Sequence, residues 1–236
     1  MRRPATVVAI HGGFDGGWAW DGVRTRLQAL GHIVRTPTLT GSGERAHLVT
    51  PTIDLDTFIN DITNVIRFDN LSDVVLVAHS AGGIVAAGVV QRIPNRIRHV
   101  IFLDALVPID GESAFDMIGA DLATELRRAA SQSGCDWKSP HDPPDADRRT
   151  DILLRPLQDR LSIEDEDYSS SYIAFTRKPE DDPFAPVLQR IAIRMKSRES
   201  CRYREVDLPH FPMLEHPDAV ASIVINEIDW IDQHET

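Results

Sequence analysis

Residues 74–83 read VVLVAHSAGG, an apolar run that ends in a histidine, a serine and two glycines. A serine hydroxyl is a poor nucleophile until a base takes its proton, and the oxyanion its attack creates needs donors already in place. The frame Ala78-His79-Ser80-Ala81-Gly82 suits the first requirement. In G-x-S-x-G turns the serine stands on a strained bend between strand and helix, so its near neighbours have to be small. Alanine replaces the first glycine here and is still small. Read blandly, Ser80 is a helix N-cap. The buried-looking strand before it and the Gly-rich helix start after it favour a nucleophile. One oxyanion donor is then the N–H of Ala81, at a helix start where the dipole favours negative charge. A second is expected from the loop after an earlier strand, and TVVAI runs directly into His11-Gly12-Gly13-Phe14. Gly13 is the assigned donor, because glycine lets the main chain approach a substrate closely.

The base is expected late in the chain, after the last strand. Nine histidines narrow quickly. His32 and His99 begin strands, His11 and His79 adjoin the two motifs, His47 and His141 lie in early loops, and His234 is terminal. His216 directly precedes Pro217 and reads as the lead into the last helix. His210 follows RYREV by the short loop DLPH and is the predicted general base.

These residues need a scaffold that brings them to one edge. Strands are predicted over Thr6–Ile10, His32–Thr36, Val74–Ala78, His99–Asp104, Ser171–Thr176 and Arg202–Val206. VVLVA and HVIFLD are almost continuously apolar, as strands buried on both faces of a parallel sheet are. Helical patterns fill the gaps: Trp18–Leu30 stopped by Gly31, Asp54–Phe68 with Phe58, Ile59, Ile62, Val65 and Ile66 on one face, Ser80–Arg92 stopped by Pro94, Pro183–Lys196 and Pro217–His234. The alternation predicts an α/β fold, a doubly wound and mainly parallel six-stranded sheet with right-handed crossovers. Residues 1–107 and 170–236 form the predicted core. Residues 108–169 show no convincing strand and form a predicted helical cap, with helical segments at Glu112–Ala130 and Thr150–Leu161 around the Pro- and Asp-rich CDWKSPHDPPDADRR. An insertion at the carboxyl edge stands where open α/β folds bind ligands.

With 236 residues the chain suits one such domain, and its net charge of −11 argues against nucleic acid or an anionic membrane surface as partner. No segment reaches signal-peptide or membrane-spanning length, and Cys135 and Cys201 read as unpaired thiols of a reducing compartment. A cytoplasmic protein acting on a small molecule is expected, and a homodimer is compatible with the sequence.

With these pieces assembled, the chain resembles the α/β-hydrolase superfamily over nearly its whole length. It is most similar to the small branch holding plant methyl-ester esterases, hydroxynitrile lyases and bacterial esterases. The matching pieces are HGGFDGGWAW, GHIVRTPTLTGSGERAHL, VVLVAHSAGG, FLDALVPIDGES and HFPMLEHP. They are specific for fold and triad rather than for substrate. The resemblance implies a compact version that begins at the strand feeding the oxyanion loop, with a Ser-His-Asp triad. In the plant relatives the acid follows the strand matching SSYIAFT. An ungapped match puts Lys178 at that place, and a gap brings in Asp181 or Asp182, which read equally as caps of the helix near Pro183. Other relatives carry the acid at the end of the strand matching HVIFLD, which is Asp104 here. A carboxylate ending a buried apolar strand is costly without a partner, and imidazolium is a suitable one. Asp104 is the preferred acid, with Asp181 and Asp182 as alternatives.

The chemistry expected is acyl transfer from a small, largely apolar ester, lactone or carbamate, which requires neither metal nor cofactor. Phe14, Leu106, Phe115, Met117, Trp137 and Met213 are the expected pocket walls, although several read equally as core. A lyase or cyclase on the same fold, or a receptor keeping the triad, are the competing readings. Relatives that cleave cyanohydrins carry a lysine after the histidine and a threonine in the oxyanion loop. Phe211 and Gly12 stand there instead.

Overall fold

In this computed structural model, residues 3–141 and 148–234 are described. The chain alternates β1 (Thr6–Ile10), α1 (Asp21–Ala29), β2 (Ile33–Arg35), α2 (Leu55–Phe68), β3 (Val74–His79), α3 (Gly82–Arg92) and β4 (Ile97–Leu103). An insertion follows, with β5 (Glu112–Ser113), α4 (Ala114–Ile118), α5 (Ala120–Gln132), β6 (Lys138–Ser139), β7 (Ile152–Leu153), α6 (Leu154–Gln158) and β8 (Arg160–Leu161). The core resumes with β9 (Ser170–Phe175), α7 (Ala185–Lys196), β10 (Cys201–Val206), α8 (Pro212–Glu215) and α9 (Pro217–His234).

Among the described residues the main sheet has six strands in the order β10-β9-β4-β3-β1-β2, every pairing parallel. The order reverses between β1 and β3, the kind of switch point where open α/β sheets bind ligands. Alternation along each strand splits the core into two layers. Val8, Ile10, Leu76, Ala78, Val100, Phe102 and Tyr172 pack against α2, α3 and α7. Val7, Ala9, Val75, Val77, Ile101, Leu103 and Ile173 pack against α1 and α9. Helix α3 is buried on every side from Gly82 to Val90, which is why its sequence shows no polar face. Helix α2 is amphipathic, and Asp54 caps it by accepting the Thr57 N–H at 2.9 Å. Among the described residues no helix is long and apolar enough to cross a membrane.

Several predicted boundaries move, among them the helix predicted from Trp18, which begins at Asp21 after a 3-10 turn over Gly17–Trp20. The helix predicted from Ser80 begins at Gly82, because Ser80 itself occupies a left-handed bend with φ 51° and Ala81 is the N-cap. The helix predicted over Glu112–Ala130 is divided at Gly119, φ 87°. The one predicted over Thr150–Leu161 shrinks to Leu154–Gln158, because both flanks join strands. The insertion, predicted to be without strands, holds two antiparallel ladders, β5 with β8 and β6 with β7. Strands of two residues are too short to print an alternating pattern on a sequence. Part of its Pro- and Asp-rich stretch, residues 142–147, lies outside the described residues.

Candidate active site

The loops after β1, β3, β4, β9 and β10 all leave the carboxyl edge of the sheet, and the residues singled out from the sequence meet there. Ser80 follows β3 directly. Its N–H donates to the Leu103 carbonyl at 3.3 Å, and its own carbonyl accepts the N–H groups of Gly83 at 3.1 Å and Leu106 at 2.9 Å. A side chain at Gly83 has no room, since a Cβ there would stand 2.4 Å from the Leu106 carbonyl oxygen. A Cβ at Gly12 would meet His79 Nδ1 at 2.9 Å and Ser80 Cβ at 3.0 Å, so the loop after β1 is pressed onto the bend.

His210, carried by the loop between β10 and α8, faces Ser80. Its Nε2 lies 3.1 Å from Ser80 Oγ and its Nδ1 lies 2.6 Å from Asp104 Oδ2. The carboxylate accepts, so Nδ1 donates, and in the neutral ring Nε2 is the nitrogen left to accept from the serine hydroxyl. Asp104 closes β4 in a second left-handed bend, φ 47°, a conformation that aspartate tolerates better than most residues. Its side chain is 1% exposed. Burial works to raise its pKa, but the hydrogen bond and charge of His210, then those of Lys178, outweigh burial and hold the carboxyl below its ordinary range. Asp181 is exposed, and Asp182 accepts the Phe184 N–H at 2.9 Å at the turn into α7. Neither alternative acid meets His210.

Two histidines set aside in the sequence hold the surrounding loops. His79 donates from Nε2 to the His210 carbonyl at 2.7 Å, and its ring lies 4.8 Å from that of His210. Burial first, then the nearby His210, lower its pKa to about 3. His11 donates from Nδ1 to the Gly12 carbonyl at 2.8 Å and accepts the Leu39 N–H on Nε2 at 3.1 Å. Burial lowers it to about 4. Both rings are therefore neutral hydrogen-bonding struts. Their signal in the sequence was adjacency to the glycine motifs, which does not distinguish strut from reactant.

Gly13 and Ala81, the assigned oxyanion donors, line one cleft together with Gly12, Phe14 and Gly82. Apolar side chains of α2, α3 and the insertion, among them Leu55, Phe58, Ile84 and Ile152, form most of the rest, and His11, Ser42 and Asp151 are its polar members. The cleft measures ≈ 460 Å³ with its mouth, but the inner void is only ≈ 30 Å³. Of the expected walls, Phe14 lines this cleft. Leu106, Phe115 and Met117 lie in the core cluster on the α2–α3 side of the sheet, which also supplies Leu55, Ile84 and Val85 to the cleft. Met213 is buried on the opposite face beneath α9. Trp137 belongs to the insertion, where its carbonyl accepts the Leu154 N–H at 3.0 Å. The cleft's walls come from the loop after β1, from α2 and α3 and from the far end of the insertion.

The far end of the insertion straps the loop after β1. The Thr150 N–H donates to the Phe14 carbonyl at 2.9 Å, Arg149 pairs with the buried Asp15 at 3.1 Å, and Ile152 Cδ1 stands 2.6 Å from where a Cβ on Gly13 would be. Burial raises the Asp15 pKa, and the Arg149 guanidinium opposes that rise. Among the described residues no group of three or more His, Cys, Asp or Glu side chains is arranged to hold a metal ion.

Comparison with known proteins places this geometry. The carbendazim hydrolyzing esterase of Nocardioides sp. (strain SG-4G) is 42% identical over 122 residues, 52% of this chain and 50% of that protein. Methylesterase 1 of Arabidopsis thaliana is 30% identical over 129 residues, 52% of this chain and 49% of that protein. The chain thus spans about half the length of the curated relatives it matches. Among solved structures, an extracellular alpha/beta-hydrolase from a Paenibacillus species superposes with a TM-score of 0.81 at 23% identity, covering 94% of this chain and 98% of the other. It is described as sharing structural and functional homology with tobacco salicylic acid binding protein 2. A pyrethroid hydrolase from Sphingobium faniae JZ-2 superposes at 0.74 and 18% identity, covering 96% and 98%. The model of the alpha/beta hydrolase family matches residues 7–223, from the first sheet strand into the last helix. A match over that span shows the family: this chain belongs to the α/β-hydrolase family.

Proposed function

We propose that the protein is a carboxylesterase that works through an acyl-enzyme, with Ser80 as nucleophile, His210 as general base and acid, and Asp104 orienting the imidazole. Ser80 Oγ attacks the ester carbonyl as its proton passes to His210 Nε2. The N–H groups of Gly13 and Ala81 receive the oxyanion. The imidazolium, stabilised by Asp104, then protonates the leaving alcohol. Water repeats the sequence in reverse roles and frees the acid. The observation that carries this reading is the unbroken line from Ser80 Oγ through both ring nitrogens of His210 to Asp104 Oδ2, at 3.1 and 2.6 Å.

The substrate class follows from the cleft. Its walls are mostly apolar, with His11, Ser42 and Asp151 as polar members, and its inner void of ≈ 30 Å³ admits a few atoms at most without movement. A small, uncharged acyl group fits such a space. The relatives named as methylesterases and as a carbendazim hydrolyzing esterase support a small ester or carbamate.

The test is a burst assay with short-chain nitrophenyl esters and a fluorophosphonate probe. Nitrophenol is expected in a burst, with the probe on Ser80, and Ser80→Ala should lose at least about 10³-fold in rate, since nucleophile and base act as a unit. Near-normal activity of Ser80→Ala, or labelling at another serine, would dismiss the mechanism. Absence of both burst and turnover, with ligand binding intact in Ser80→Ala, would point to a receptor.

A further inference from the structure

Lys178 has no part in the reaction as written above, yet it is built into the same cluster. It lies three residues beyond β9, and its side chain is 14% exposed. The ammonium donates to both oxygens of Asp104, at 2.8 Å to Oδ1 and 2.7 Å to Oδ2. Oδ1 also accepts the Phe175 N–H at 3.3 Å, while Oδ2 also accepts the His210 Nδ1–H at 2.6 Å. One buried carboxylate therefore serves two partners that both carry positive charge once His210 takes the serine proton.

We propose that Lys178 is a positioning residue that shares Asp104 with His210, holding the carboxylate square to the imidazole while weakening its pull on the imidazolium. This rests on the Ser80–His210–Asp104 reading. Held at Oδ1 by Lys178 and by the Phe175 amide, the carboxylate cannot rotate away from Nδ1 without breaking both bonds. Its negative charge is also divided. A cation within hydrogen-bond distance of the acid opposes a second cation on the same acid, so the ammonium and the imidazolium compete for one carboxylate.

The other groups facing this cluster do not replace the ammonium. From β3, His79 is neutral, its pKa lowered to about 3 by burial and then by His210. From the oxyanion loop, His11 is neutral, lowered by burial to about 4. Asp15 of that loop is paired with Arg149 of the insertion, beside His141. Arg149 also lies 4.8 Å over the Phe211 ring, which flanks His210. Around Asp104, Tyr172 of β9 and Tyr203 of β10 are uncharged phenols. Burial pushes both up, Tyr203 to about 12.

The test compares kcat/KM against pH, from about pH 5 to about pH 9, for the wild type, Lys178→Met and Lys178→Arg on a short nitrophenyl ester. In Lys178→Met the acid limb should move up by about one unit, a tenfold gain in the proton affinity that governs it, and the plateau should fall. Lys178→Arg should restore the limb, because it restores the charge. An acid limb unmoved in Lys178→Met overturns the proposal, even where the plateau falls, since that outcome is a structural role alone. If Lys178→Met does not fold, Lys178→Gln poses the same question. Failure of the underlying reading is separate and visible in the wild-type background: Ser80→Ala would keep its activity and Ser80 would not take the fluorophosphonate.

Discussion

Backbone strain in this protein gathers at the candidate site. Of the five non-glycine residues with positive φ among the described residues, three are Ser80 (51°), Asp104 (47°) and Phe14 (66°). Such conformations cost on the order of 1 kcal/mol each and persist where the surroundings over-determine them. At Ser80 the amides of Gly83 and Leu106 do this, and at Asp104 the Ile173 carbonyl accepts its N–H at 2.9 Å. Asparagine tolerates the same bend, so Asp104→Asn isolates charge and hydrogen bonding from backbone fit. It should lower kcat/KM by about 10³-fold or more, as loss of the orienting acid does, while Asp182→Asn stays near wild type. The opposite ranking in steady-state assays would reassign the acid. The serine and the histidine were legible in the sequence because each sits in a local context, a strand–turn–helix or a short loop after a late strand. The acid was only narrowed, since two loops carry candidates, Asp104 after β4 and Asp181 and Asp182 after β9, and only tertiary geometry chooses. Lys178 was visible as an occupant of an acid's usual position, but no local pattern announces an ammonium that crosses from one strand end to another.

Among the elements, the strands of the main sheet were legible to within two residues because their burial on both faces leaves continuous apolar runs such as VVLVA. The short ladders of the insertion were not, and they place Ile152 over the oxyanion loop and in the cleft wall. Ile152→Ala removes the branched side chain nearest Gly13 and should enlarge the void by the volume of three methyl or methylene groups. The ratio of kcat/KM for nitrophenyl hexanoate over nitrophenyl acetate should then rise by about tenfold, the worth of one or two buried methylenes. An unchanged ratio would mean that the acyl chain does not enter this cleft.

For the whole molecule, the buried neutral histidines set a limit on acid tolerance. His11 is held near 4, and His79 and His99 near 3, all chiefly by burial and against an ordinary 6.5. Each has a depressed pKa in the fold, so below about pH 6.5 the unfolded chain binds protons that the folded one refuses. Stability is therefore intact above that point and falls as pH drops toward 4, by on the order of 1 kcal/mol per histidine per pH unit. Urea midpoints taken from about pH 7 to about pH 5 should decline steadily, and a flat series would show that these rings are not neutral in the fold. The strap of residues 149–153 has a different consequence. Its amide, its guanidinium and its isoleucine all end on the loop that carries Gly13. The doorway and the anvil are one piece: with Gly13 receiving the oxyanion, as proposed, a change in that segment that widens what the protein admits should also shift how fast it turns over.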